Sequence, residues 1–159
     1  MAEPGISQDT CASQLRAFQQ RRMIHPVAQK GSGRTAHNLY SYTELGIAKI
    51  ASLLTTDHSI ADNAILASVA AQLYGWTDHN PSNGSGWRSP IDAALAGIIR
   101  GEFWVFRMDT VRGDQSGERR TLCYIYNLDE GMPKSAGGGE MMPRGSVTIP
   151  LIVPFKHLL

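Results

Sequence analysis

Pro26 sets the first limit on the fold, because no regular helix that begins near the N-terminus passes through it. Upstream, Leu15, Phe18 and Met23 recur at helical spacing in TCASQLRAFQQRRM, which predicts a helix of about three turns over residues 10–23. Ser7, Asp9 or Thr10 is available to cap it. Beyond Pro26, Gly31, Ser32 and Gly33 separate two short extended arms, Val27–Gln29 and Arg34–Asn38, as in a hairpin. A second helix then starts near Thr43, capped by Ser41 or Thr43, with Leu45, Ile47, Ala48, Ile50, Ala51, Leu53 and Leu54 forming a broad, largely buried face. The first third of the chain therefore reads helix, hairpin, helix.

The remainder alternates the two periodicities. Ile65, Leu66, Val69, Ala70 and Leu73 predict a third helix from Asp62 to Tyr74. The loop GWTDHNPSNGSGWRSP follows, and Ser89-Pro90 opens a fourth helix, Ile91–Arg100, which Gly101 ends. Two strands, Glu102–Val111 and Arg119–Leu128, flank the turn RGDQSG. Their aromatic residues, Phe103, Trp104, Phe106, Tyr124 and Tyr126, together with Trp76 and Trp87 of the loop, are read as core packing, with a pocket or subunit interface as the other use. Residues 129–146, with a triple glycine, read as an exposed connection. Pro150 and Pro154 make the end an edge or terminal strand and one turn of helix.

Composition removes several classes of function. No apolar run approaches the roughly 20 residues that span a bilayer, and MAEPGISQDT has neither the basic nor the apolar region of a secretory signal, so a cytoplasmic protein without membrane contact is expected. Cys11 and Cys123 lack the spacing of a zinc site or a disulfide framework and are read as reduced thiols. The five histidines, at 25, 37, 58, 79 and 157, show no metal-ligand spacing. The pairs Asp57-His58 and Asp78-His79 read as solvated turns. No catalytic, metal or cofactor site is expected, and the chain is read as a non-enzyme.

Charge is distributed unevenly although the total is only +1. Residues 1–56 hold six Lys/Arg against three acids, so the rest of the chain is mildly acidic. A basic head on an acidic remainder suits a nucleic-acid partner. Arg reads guanine and Gln reads adenine in the major groove, whereas Lys and Arg on a loop neutralise phosphates.

LRAFQQRRMIHP followed by GRTAHNLYSYTELGIAKI resembles the winged helix-turn-helix head of the MerR family of transcription regulators. The resemblance rests on Leu15, Arg16, Phe18, Arg21, Ile24 and Pro26, then on Leu39, Tyr40, Ser41, Glu44, Leu45 and Ile50, and covers residues 10–60. Arg22-Met23 stands where the family has Gly-Leu before its Ile-x-Pro corner, and Ala36-His37-Asn38 stands where its wing has Gly-Tyr-Arg. The usual first helix and the long coiled-coil arm are not evident. The resemblance implies an α+β chain with a winged helix-turn-helix-like head, residues 1–58, joined by a helical connection to a small α+β dimerisation or effector domain, residues 59–159, containing a β-hairpin. It further implies a bacterial or phage regulator that binds double-stranded DNA, with Arg16, Gln19, Gln20 and Arg22 in the groove and Lys30, Arg34, His37 and Tyr40 on the backbone. A homodimer is the expected state by analogy with two-fold operators. A small-molecule effector is left open. The alternative is a protein-interaction module, an anti-repressor or an inhibitor of a host complex, built on a vestigial winged head.

Overall fold

The computed structural model describes residues 8–33, 36–75, 89–112, 118–132, 143–156 and 158, with only the backbone of residues 8–10, 75 and 143. It is a mixed α+β chain that divides into two compact units, Met1–Ala71 with Leu158, and Gln72–His157 with Leu159. Residues 76–88 of the expected loop 75–90, residues 113–117 of the expected turn RGDQSG and residues 133–142 of the expected connection 129–146 lie outside the described residues, as do Trp76 and Trp87.

In the first unit, α1 (Gln8–Gln20) leads to an antiparallel ribbon of β1 (Ala28–Lys30) and β2 (His37–Leu39), then to α2 (Tyr42–Thr56) and the start of α3 (Asn63–Gly75). Helix α2 starts where its chemistry dictates: Ser41 has extended backbone and its hydroxyl accepts from the Glu44 amide. Ile47, Ala48, Ile50, Ala51 and Leu54 are buried, as their spacing requires. Asp62 caps α3 by accepting from the amides of Ala64 and Ile65.

The second unit is built on a three-stranded antiparallel sheet in the order β4 (Arg119–Asn127), β3 (Trp104–Arg112), β5 (Pro143–Pro150). As the central strand, β3 buries residues on both faces, Phe106 and Met108 on one and Val105 and Val111 on the other, so its sequence does not alternate cleanly. Phe106 and Tyr124 are core residues as expected, whereas Phe103 is half exposed at the sheet end. Strand β5 begins at residue 143, inside the stretch expected to be a connection, because β3 offers it a ladder that no local signal announces. Pro154 sits within the short helix α5 (Ile152–Lys156), where the first-turn amide it lacks would have had no partner.

Helix α4 (Pro90–Ile99) has Ser89 as N-cap and Pro90 at its first position, and buries Ile91, Ala94, Leu95 and Ile98. Its end is a Schellman turn, with Gly101 at φ +85° and the amides of Gly101 and Glu102 donating to the carbonyls of Ile98 and Gly97. The Glu102 carboxylate then accepts from Arg100 Nε at 2.7 Å and Trp104 Nε1 at 2.9 Å, which pins the indole against Gly97. The Arg100 bond, and after it the Trp104 bond, holds this carboxyl below its usual range.

The outer edge of β4 is closed by a side chain. Gln72 donates to the Thr121 carbonyl at 2.7 Å and accepts from the Cys123 amide at 2.9 Å, so one amide group supplies both bonds of a missing neighbour strand. Beside it, burial and then the charge of Asp109 push the Cys123 thiol up to about 12. The folded chain therefore keeps the thiol proton at alkaline pH while the unfolded chain, near its ordinary value of 9.0, releases it. Stability from this group is whole below about pH 9 and is lost as pH rises towards 12, at up to about 1.4 kcal/mol per pH unit. Thermal melts of wild type and Cys123→Ala should diverge in slope above pH 9, with wild type the steeper; parallel curves would contradict the burial.

Candidate nucleic-acid interface

Helix α1 ends in the same turn as α4 but without glycine. The amides of Arg22 and Met23 donate to the carbonyls of Gln19 and Phe18, both at 2.9 Å, and Arg22 adopts φ +58°. Met23 and Phe18 are both buried, the apolar contact that accompanies such a turn. A long side chain in this left-handed conformation costs about 1 kcal/mol or more, which the packed neighbours must offset. Three residues beyond Arg22, the His25 amide donates at 2.8 Å to the carboxylate of Glu44, which is buried at 6% exposure. The corner after α1 is thus fastened to the first turn of α2.

The ribbon is fastened by Gln19. Its Oε1 accepts from Asn38 Nδ2 at 2.9 Å and from the Tyr40 hydroxyl at 2.8 Å, while Asn38 Oδ1 accepts from Gln29 Nε2 across the ribbon. Lys30 and His37 pair directly at the far end of the ribbon. The helix, ribbon and second helix of this unit are therefore held in one arrangement by polar side chains.

Among the residues expected to touch DNA, Arg16, Gln20, Arg22, Lys30 and His37 are exposed. Arg16 and Gln20 lie one helical turn apart on the same side of α1. Gln19 and Tyr40 are half-buried and bonded to each other, so the bidentate reading of adenine expected of Gln19 is closed to it here: the oxygen it needs is already shared by two donors. Both therefore help set the distance between helix and ribbon. Arg34 lies outside the described residues. Arg21, exposed just past α1, adds a cation that groove periodicity did not single out. Asn38 was legible only as a wing residue; its link to Gln19 spans 19 positions and leaves no local signal.

Replacing Gln19 with leucine removes both acceptor bonds, and at about 0.5–1.5 kcal/mol for each the first unit should lose roughly 1–3 kcal/mol. Denaturant titration measures this loss, and amide exchange should rise in 37–40 before it rises in α2. Uniform exchange with unchanged stability would show that Gln19 ties nothing together.

No group of three or more metal-ligating side chains occurs among the described residues, and no helix of those residues is long and apolar enough to cross a membrane. Comparison of the chain with protein-family models, curated proteins and solved structures finds no match.

Proposed function

We propose that the chain is a cytoplasmic, sequence-specific transcription regulator of MerR-like type that binds double-stranded DNA through its first unit and acts as a homodimer. The observation that supports this most is the Gln19 junction, which fixes a helix bearing exposed Arg16, Gln20 and Arg22 relative to a ribbon bearing exposed Lys30 and His37. A helix set in the groove and a ribbon on the adjacent backbone need that fixed spacing, since a 1–2 Å error breaks bidentate base contacts. In this reading Arg16, Gln20 and Arg22 meet base edges, and Lys30, His37 and Arg34 meet phosphates.

A protein-binding head is favoured by a different observation: Val27, Leu39 and Tyr42 are 63%, 44% and 58% exposed, and the Val27 amide bonds to the Leu39 carbonyl, which places an apolar patch at the foot of the ribbon. A gel shift with DNA from upstream of the protein's own gene separates the readings. Retention of a discrete complex under excess unrelated competitor duplex supports the regulator. Loss of the complex to that competitor leaves only non-specific DNA binding and overturns the sequence-specific regulator, whereas no shift at low salt supports the protein-binding head, for which Leu39→Ser would then abolish partner capture.

A further inference from the structure

One end of the three-stranded sheet carries three arginines. Arg112 closes β3 and Arg119 opens β4, and the antiparallel register sets them directly opposite each other. Like charges in that position repel, and sheets ordinarily avoid the pairing. The third group, Arg144, stands at a bulge: Thr110 pairs with Gly145 and Val111 with Pro143, leaving Arg144 as the extra residue of β5. Such a residue is re-aimed relative to the pleat, and bulges of this kind recur beside binding sites.

All three arginines are exposed, and with Thr110, Val111 and Gly145 they line a cavity of about 350 Å³. That volume lies within the range of small-ligand sites, roughly 300–1,000 Å³. Among the described residues, no atom lies within 4 Å of where a Cβ on Gly145 would stand. The neighbouring Glu118 bridges Arg120 at 3.1 Å, and among the described residues no carboxylate forms an ion pair with Arg112, Arg119 or Arg144. Each guanidinium carries five N–H donors and no acceptor, and two or more together match an anion with several oxygens.

We propose that this cavity binds a small multivalent phosphate anion, a diphosphate group either free or carried by a nucleotide. The bound anion offsets the Arg112–Arg119 repulsion, and the bulge brings the third guanidinium to it. This site belongs to the second unit and does not depend on DNA binding by the first.

Isothermal titration of the full chain in about 0.15 M salt, with inorganic diphosphate, ATP and sulfate as separate titrants, tests the proposal. Diphosphate should saturate at one per chain and bind at least tenfold more tightly than sulfate. Arg119→Gln and Arg144→Gln should each weaken it by about tenfold or more, as expected for loss of one charge-assisted contact. The unliganded Arg119→Gln protein should melt at or above the wild-type temperature, because a repulsion has been removed; a purely structural arginine would lower it. Tighter binding of ATP identifies the nucleotide as carrier, and equal binding identifies the free group. The proposal is overturned if diphosphate fails to saturate, if it binds no better than sulfate, or if both variants bind as wild type. It is also overturned if duplex DNA displaces diphosphate and itself loses affinity equally in Arg144→Gln, for the cavity would then be a nucleic-acid contact.

Discussion

Gly97→Val should be the most damaging single substitution in the second unit, lowering stability by about 3 kcal/mol and the melting temperature by roughly 6–12 °C for a chain of this length. A Cβ at position 97 would run into the Trp104 indole and the Glu102 carboxylate. The indole cannot simply swing away, because its N–H donates to Glu102, whose other oxygen is held by Arg100. The collision therefore falls on the α4–β3 packing that buries Ile98 and Phe106. The double variant with Trp104→Ala should recover part of the loss, since the clash has gone, and a melt series over the two single variants and the double measures that coupling. A Gly97→Val protein that melts with wild type would show that α4 is free to move off the sheet.

Arg22→Gly should move two properties in opposite directions. Arg22 holds φ +58° at the position that Gly101 fills after α4, so glycine there relieves backbone strain and should raise stability by about 1 kcal/mol. If the exposed guanidinium contacts a base, the same change should weaken specific duplex binding by about 1–3 kcal/mol, roughly 5- to 150-fold. A non-glycine residue kept in a costly conformation is the pattern expected where function sets the residue. Denaturant titration and fluorescence anisotropy on the same preparation read both signs. Higher stability with unchanged affinity would remove Arg22 from the interface while leaving the turn geometry intact.

The elements visible in the sequence are those whose ends carry their own chemistry. Ser41, Asp62 and Ser89-Pro90 each cap the helix expected after them, and Gly101 ends α4 as its type predicts. The antiparallel pairing of β3 and β4 follows from two runs of β-forming residues. What stayed hidden depends on contacts distant in the chain. The turn after α1 has arginine where glycine is the usual sign, and it holds because Met23 is buried and Glu44 reaches back to the His25 amide. Gln19 carries the residue type of a base reader, yet Asn38 and Tyr40 claim its oxygen from about 20 positions away. The three arginines of the sheet end come together only through strand register and a bulge, neither of which is written locally. Residue type announced a polar, cationic head; hydrogen bonding decided which of its residues reach the surface.

The most direct test of the regulator proposal is the salt dependence of duplex affinity. For phosphate contacts by Lys30 and Arg34, log Kd plotted against log salt should rise with a slope of about 0.9 per phosphate neutralised, and Lys30→Ala should lower that slope by about 1. Binding that ignores salt, or no duplex binding at low salt, would contradict a DNA-binding head.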